Sequence, residues 1–451
     1  MLFVPLFVTL ARGQESGDLT RQVTELRALV EALETRVSQL EKQLSAQAKP
    51  PVPETKQTSG EQAQAALPQA AEPAKPGAGI GNTTSNVLLD GYYGYNFNAP
   101  IGRANRLRTY DVSSNSFSLN QATLVVENAP DPENGKRWGA RLDLQWGQAT
   151  QTLQGNPGNE PRPDIYRALF QVYGTYVIPL GRGLTVDFGK WASSLGIEGN
   201  YTKDQMNYSR SYWFNFLPFY HMGVRMNYKF NDWLSGNYWV TNGTQQTEAF
   251  NAFKDQLAGL VMQPHSSFSW TLNYYIGQEH PDVIFYPNGG APSPDLPTQQ
   301  GVPFQPIPNP PQGKLHIIDT YLTWKTTPKL TLAGEADWVL DRYQVYSPPQ
   351  RATGGAGYVR YQFTDHVALA ARAEYFSDRG ALFSGDSQSL KETTFTTEYK
   401  FAEGFLLRGE WRRDFSNHPY FYTSTLGALK KEQNTATMGV VWWFGQKQGA
   451  W

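Results

Sequence analysis

Residues 221–230 read His-Met-Gly-Val-Arg-Met-Asn-Tyr-Lys-Phe, in which polar or small residues alternate with bulky apolar ones. Residues 184–189 show the same period of two, with Leu, Val and Phe alternating with Thr, Asp and Gly. Because successive side chains of a β-strand point to opposite faces, both segments predict strands with one polar and one apolar face. The connection between them, rich in Tyr, Trp and Phe, is far longer than a hairpin requires. The stretch 184–230 therefore predicts two neighbouring strands joined by a long aromatic loop.

The composition indicates what covers the apolar faces. Aromatic residues make up 14 % of the 451 residues, yet the mean hydropathy is only −0.51. This combination suits a barrel wall that is apolar outside and wet inside. No run of about 18 apolar residues occurs, which argues against a helical membrane span. The net charge of −1 argues against a broad nucleic-acid surface, and the absence of cysteine excludes disulfides, thiolate metal sites and a cysteine nucleophile.

The spacing of turns extends the pattern along the chain. Segments 138–147, 330–339, 367–375 and 407–412 alternate in the same way, each with an aromatic residue near one end of its apolar face. Short turns, such as 179–183, alternate with long polar connections. The long connections lie near residues 98–115, 147–164, 192–219, 243–254, 278–313, 377–390 and 415–433. Outer-membrane barrels show this asymmetry between their two ends, whereas a sandwich or a propeller has no reason for it.

Counting the connections predicts an all-β transmembrane antiparallel barrel of about 16 strands, within a range of 14 to 18. The strands run from Leu88 to Phe444 within a barrel domain assigned to residues 87–451. An even count returns both ends of the barrel to the periplasmic side. A barrel of this size leaves an aqueous lumen. The turn Glu127–Arg137 is long for its side and is the least certain part of the register.

The segment before the barrel predicts three elements. Residues 1–13 resemble the end of a signal peptide, although the missing basic n-region leaves open a start further upstream. Residues 18–45 carry a heptad pattern that predicts an α-helical coiled coil. Its core positions are Val23, Leu26, Val30, Leu33, Val37 and Leu40. Residues 46–86 are rich in Pro and Ala and predict a disordered periplasmic linker.

The coiled coil bears on the oligomeric state. β-Branched residues at a with Leu at d favour a parallel dimer. Leu29 at a g position widens the apolar stripe, and residues 36–41 resemble the Arg-h-x-x-h-Glu motif of trimeric coiled coils. These two features favour a homotrimer, with a dimer as the alternative.

Several motifs are familiar. Residues 188–198, Phe-Gly-Lys-Trp-Ala-Ser-Ser-Leu-Gly-Ile-Glu, resemble the FGK-aromatic-x-S-x-x-G-x-E stretch of the putative β-barrel porin-2 family. Residues 207–211, 221–225 and 240–243 also look like that family, and the resemblance extends over about residues 88–444. It implies an outer-membrane porin of a diderm bacterium and carries no known substrate.

Within such a porin, the loop 192–219 follows the fifth strand and is the candidate constriction loop. Its candidate pore residues are Glu198, Lys203, Asp204, Arg210, Tyr208, Tyr212 and Trp213. Alternatively, the aromatic residues only pack the loop on the wall. Alternation predicts a lumen wall that includes Arg141, Arg167, Arg225, Lys229, Glu335, Asp337, Arg360, Arg372, Arg408, Glu410 and Arg412. The near balance of charge argues against strong ion preference, and residues 408–412 could equally form a hydrogen-bond network across the wall.

The predicted function is passive diffusion of small hydrophilic solutes through an outer-membrane channel. The alternative is a structural protein that tethers the membrane to the cell wall through its periplasmic coiled coil. Neither a Gly-x-Ser-x-Gly elbow nor a metal-ligand spacing among the six His residues occurs, so we predict no enzyme activity, cofactor or metal. The expected partners are outer-membrane lipid, further copies of the chain, small solutes and, for the tether, peptidoglycan.

Overall fold

The computed structural model describes residues 83–154, 160, 163–285, 304–447 and 450–451, together with Thr35 and Gln39. The predicted signal peptide and nearly all of the predicted coiled coil and linker lie outside the described residues. The same holds for every predicted core position of the coiled coil: Val23, Leu26, Val30, Leu33, Val37 and Leu40. The structure therefore bears on the predicted barrel.

Sixteen antiparallel strands of the described residues form one closed barrel, in which neighbours follow chain order and the last strand pairs with the first. The barrel strands are β1 (Thr83–Asn96), β2 (Ser116–Asn128), β3 (Trp138–Trp146), β4 (Leu169–Ile178), β5 (Leu184–Ala192), β6 (Tyr220–Lys229), β7 (Leu234–Thr241), β8 (Asp255–His265), β9 (Phe268–Gly277), β12 (Leu315–Lys325), β13 (Leu330–Asp341), β14 (Gln350–Gln362), β15 (Val367–Arg379), β16 (Gln388–Ala402), β17 (Phe405–Ser416) and β20 (Glu432–Gly445). Two loops contain a strand pair each: β10 (Val283–Phe285) with β11 (Phe304–Pro306), and β18 (Phe421–Tyr422) with β19 (Leu429–Lys430). The predicted barrel of about 16 strands is confirmed.

The wall has an apolar outer face and a polar inner face. On β5, Phe188 is 65 % exposed on the outside, whereas its neighbours Asp187 and Gly189 point inward and are buried. Exposed aromatic side chains gather at the short-turn ends of the strands, among them Trp138, Tyr176, Phe230, Trp324, Phe401 and Phe444. Such a girdle suits the boundary between membrane and water. Among the described residues, no helix is long and apolar enough to cross a membrane.

Tight turns join the strands at this end of the barrel. The turn between β16 and β17 contains Gly404 with a φ of 87°. A Cβ there would lie 2.4 Å from the carbonyl oxygen of Trp443, so glycine is required. The connection after β2 includes a 3₁₀ turn, Pro132–Asn134, and is long, as the sequence indicates. The other end carries the longer loops. One of them, residues 193–219 after β5, folds into the interior of the barrel.

Candidate pore constriction

The loop of residues 193–219, called the inner loop below, folds into the barrel and bonds to distant parts of its wall. The backbone N–H of Gly196 donates to Asp319 on β12 at 3.0 Å, and that of Ile197 donates to Glu335 on β13 at 3.1 Å. Further along, the Thr202 hydroxyl donates to Asp90 on β1 at 2.7 Å. Since β1 is far from β12 and β13 in the strand order, the inner loop crosses the lumen.

Two wall glutamates hold the second half of the inner loop. The Glu410 carboxylate accepts the backbone N–H of Tyr208 at 2.6 Å and that of Ser209 at 2.9 Å. The Glu374 carboxylate accepts the N–H groups of Tyr212 at 2.8 Å and Trp213 at 3.0 Å. These last two residues begin a short helix, so the carboxylate satisfies N–H groups that lack a partner within the helix.

Three wall arginines bind loop carbonyl oxygens. Arg372 donates to Ser209 at 2.9 Å, Arg408 donates to Thr202 at 2.6 Å and Arg412 donates to Arg210. Each also pairs with a carboxylate of the wall. The shortest such distances are 2.7 Å for Arg372 with Glu392, 2.7 Å for Arg408 with Glu398 and 2.8 Å for Arg412 with Asp414. The structure thus places residues 408–412 in a hydrogen-bond network between wall and loop.

The structure corrects the prediction that the loop residues face an aqueous eyelet. Glu198, Arg210, Tyr208, Tyr212 and Trp213 are buried, and Lys203 and Asp204, whose side chains are only 3 % and 10 % exposed, pair with each other at 2.6 Å. Glu198 pairs with Arg372 at 2.7 Å, and the Trp213 ring packs on Phe376 with centroids 4.8 Å apart. The reason is that the loop is bonded to the wall at several places along its course across the lumen, so these side chains reach wall or loop partners instead of solvent. The alternative interpretation, aromatic packing on the wall, describes them better.

Burial keeps the loop tyrosines protonated. It raises the pKa of Tyr208 and Tyr212 well above the ordinary tyrosine value, and nearby carboxylates raise both further. Each hydroxyl therefore acts as a donor, Tyr208 to Asp90 at 2.8 Å and Tyr212 to Asp414 at 2.8 Å. Burial also lowers the pKa of Lys203, although the neighbouring Asp204 opposes that shift.

Most predicted wall residues lie within barrel strands and point inward. Arg167 and Lys229 instead lie at or beyond the ends of their strands. Arg167 lies before the start of β4 and pairs with Asp164, with 42 % of its side chain exposed. It belongs to the connection before the strand, which begins only at Leu169, so its assignment to the lumen wall stays a prediction. Lys229 is the last residue of β6 and is 54 % exposed near the turn residue Asp232, so it lies at the rim.

The remaining predicted wall arginines also pair with acids of the wall, Arg141 on its own strand, Arg225 with the neighbouring strand β5, and Arg360 on β14 with β16, two strands away. The distances are 2.9 Å for Arg141 with Asp143, 2.8 Å for Arg225 with Asp187 and 2.8 Å for Arg360 with Glu398. Of the predicted wall acids, Glu410 binds the inner loop as described. Glu335 and Asp337 lie with Asp319 in a buried carboxylate cluster, in which one oxygen of each is within 4.8 Å of the others. No metal site was predicted from the sequence, because alternation shows the face of each carboxylate but not their convergence.

Trp451 contacts the inner loop, and the sequence analysis did not predict this contact. Its ring packs edge-on against Tyr201, with centroids 5.7 Å apart, and Lys203 Nζ lies 4.5 Å from its centroid. Its backbone N–H donates to Asp204 at 3.3 Å. The segment after β20 therefore returns to the loop. The only signal in the sequence is an aromatic residue beyond the last strand, which does not indicate a target.

A closed barrel with an aromatic girdle, short turns at one end and a loop folded into its lumen defines an outer-membrane barrel of the porin type. The chain belongs to the family described as Putative beta-barrel porin-2, OmpL-like, whose model matches residues 83–444. This membership confirms the family inferred from the sequence motifs and supports an outer-membrane location.

Several solved structures resemble the chain at low sequence identity. OmpT, an outer membrane protein of Vibrio cholerae, is 10 % identical, with a TM-score of 0.47 over 80 % of this chain and 97 % of that one. The anion-selective porin from Comamonas acidovorans is 9 % identical, with a TM-score of 0.49 over 80 % and 99 %. The outer membrane channel DcaP of Acinetobacter baumannii is 10 % identical, with a TM-score of 0.48 over 80 % and 97 %. No curated protein matches the chain.

Proposed function

We propose that this protein is a porin through which small hydrophilic solutes and ions diffuse passively, and that the inner loop is its constriction. The observation that carries the proposal is the attachment of the loop to both β1 and the β12–β13 region. A solute that traverses the barrel has to pass this loop. Because the loop is held by buried hydrogen bonds rather than by a few exposed contacts, the constriction is fixed in place.

The pairing of charges supports weak ion preference. Ion selectivity in a pore comes from unbalanced charge along its lining. Here the inward arginines of the described strands pair with carboxylates. The pairs are Arg141–Asp143, Arg225–Asp187, Arg360–Glu398, Arg372–Glu392, Arg408–Glu398 and Arg412–Asp414. Their fields largely cancel within each pair, so the pairs favour size over charge as the basis of selection, provided that the unpaired carboxylates Asp319, Glu335 and Asp337 are compensated by a bound cation or by protons.

Single-channel recording in planar bilayers tests the proposal. We compare the wild type with a variant in which residues 200–214 are replaced by a short Gly-Ser linker, and measure conductance and the reversal potential in a salt gradient. We expect small steps from the wild type, larger steps from the variant, and a reversal potential near zero for the wild type.

The control shortens residues 343–348, a loop at the same end of the barrel in which Tyr346 is 96 % exposed. It is expected to leave the conductance unchanged. Equal conductance of the wild type and the inner-loop variant would contradict the constriction. Absence of current from both folded proteins would contradict the channel itself.

We further propose that residues 18–45 form a periplasmic coiled coil that joins barrels into a homotrimer, with the linker 46–86 between coiled coil and barrel. The heptad pattern supports this, as does the even strand count, which places the start of β1 at the short-turn end. A dimer and a link to peptidoglycan are the alternatives.

A further inference from the structure

Three carboxylates converge where the inner loop meets β12 and β13. Asp319, Glu335 and Asp337 each place one oxygen within 4.8 Å of the others. All three side chains are buried and point into the barrel. Three buried carboxylates so close together raise the free energy of the folded state unless cations or protons compensate their negative charge.

The described residues provide no positive partner for this cluster. No ion pair among them involves Asp319, Glu335 or Asp337. The further groups whose charge acts most strongly on Glu335 are also acids, Glu198 and Glu374, and of these Glu198 is already paired with Arg372. The donors present are neutral. Asp319 accepts from Gly196 N–H at 3.0 Å and from Asn273 at 2.8 Å, and Glu335 accepts from Ile197 N–H at 3.1 Å. Such hydrogen bonds stabilise single carboxylates but do not neutralise three.

Asp337 is a separate indication of a missing ligand. Its side chain is only 5 % exposed, and neither of its carboxylate oxygens receives a hydrogen bond from outside the cluster, in which it lies beside the Asp319 carboxyl group. Buried polar groups in native proteins nearly always have a partner, so this carboxylate requires an explanation. Its charged neighbours are Asp319 and Glu335, which places the unpartnered oxygens beside the other two carboxylates.

We propose that Asp319, Glu335 and Asp337 bind a divalent cation of the calcium class. Calcium takes oxygen ligands at about 2.3–2.6 Å and so holds oxygens up to about twice that distance apart. The limit of 4.8 Å among the three oxygens meets this requirement. Because the same carboxylates accept the N–H groups of Gly196 and Ile197, the ion fastens the start of the inner loop to the wall. This site does not depend on whether the barrel conducts.

The test uses the full chain, purified in detergent, treated with EDTA and then titrated with calcium chloride. Binding is measured by calorimetry, and thermal unfolding is followed by tryptophan fluorescence. We expect a single calcium ion per chain and an unfolding temperature that rises with calcium. Magnesium is expected to give a smaller rise, because its smaller shell demands a nearly ideal octahedron.

The variant Asp337→Asn distinguishes a metal ligand from a structural residue. It is expected to lose calcium binding, yet in EDTA to unfold at a higher temperature than the wild type, since one repelling charge is gone. A residue with only a structural role would lower stability without affecting calcium. Glu335→Gln is a second variant, expected to lose calcium binding as well, should Asp337→Asn fail to fold.

Asp90→Asn is the matched control, because Asp90 is another buried wall carboxylate that holds the inner loop but lies outside the cluster. It is expected to keep calcium binding. Loss of calcium binding in both Asp90→Asn and Asp337→Asn would overturn the proposal, because calcium binding would then depend on the position of the inner loop and not on the three carboxylates themselves. No binding by the wild type at calcium up to about 10 mM, which is about ten times the weakest dissociation constants of protein sites, would also overturn it and leave shared protons as the compensation.

Discussion

Gly439 on β20 shows how one inward residue makes room for the inner loop. A Cβ at this position would lie 2.3 Å from the ring of Tyr208, which is fully buried and bound to Asp90. Gly439→Ala therefore forces the ring to shift, and overpacking of this kind costs about 1–3 kcal/mol. We expect a lower free energy of unfolding in urea and a larger single-channel conductance.

Gly409→Ala is the control for that prediction. Gly409 lies on the neighbouring strand β17, and a Cβ there would meet nothing within 4 Å. The free energy of unfolding of the Gly409→Ala variant is expected to stay within about 0.5 kcal/mol of the wild-type value. Equal effects of the two substitutions would show that the ring of Tyr208 does not depend on the glycine.

His280 makes the loop between β9 and β12 sensitive to pH. The Asp341 carboxylate, 3.7 Å from the imidazole Nε2, raises the pKa of His280 against the opposing effect of burial. Because the folded-state pKa is raised, the stabilisation is fully present below the unfolded value of about 6.5 and is lost as pH rises through the folded pKa. We expect faster hydrogen exchange of residues 278–285 at about pH 8.5 than at about pH 6, after correction for intrinsic rates. His280→Gln should remove this difference, and its persistence in the variant would contradict the assignment.

At the scale of elements, the strands could be predicted from the sequence but the course of the inner loop could not. Alternation over residues 221–230 and 184–189 identifies β6 and β5, because a strand with one lipid face and one polar face repeats every two residues. The inner loop has no such period. Tyr208 meets Asp90 and Glu198 meets Arg372, partners far away in the chain, so only the closed barrel determines where these side chains point.

The attachment of the inner loop through Glu410 leads to a test at this scale. Glu410→Ala removes the acceptor of two buried N–H groups, those of Tyr208 and Ser209, and each buried donor left without a partner costs about 1–3 kcal/mol. We expect a less stable barrel with larger and noisier current steps. Glu432→Ala is the control, because Glu432 forms a half-exposed pair with Arg413 that contributes at most about 1 kcal/mol. Unchanged current in Glu410→Ala would mean that the other contacts hold the loop without this one.

At the scale of the whole molecule, barrel closure determines where the preceding segment attaches. β1 pairs with β20 from Asn86 to Asn96, and sixteen strands leave the first and last strand ends on the side of the short turns. A coiled coil at residues 18–45 would then lie in the periplasm, separated from the wall by the linker. It can join barrels without taking part in the fold of any one of them, so assembly and conduction should be separable by mutation.

We therefore expect Leu26→Asp with Leu33→Asp, which places charge at two predicted core positions, to convert trimers to monomers while the conductance of each channel is unchanged. Buried charge at a core position disrupts a coiled coil, whereas Thr24→Asp with Thr35→Asp, at outer positions of the same heptads, should leave trimers intact. Mass in detergent is measured by light scattering, and sedimentation with purified peptidoglycan is measured in parallel. A dimer mass for the wild type would support the dimer instead. Trimers that persist in the core variant would show that the barrel walls hold the copies together, and loss of peptidoglycan binding without a change in mass would favour the tether.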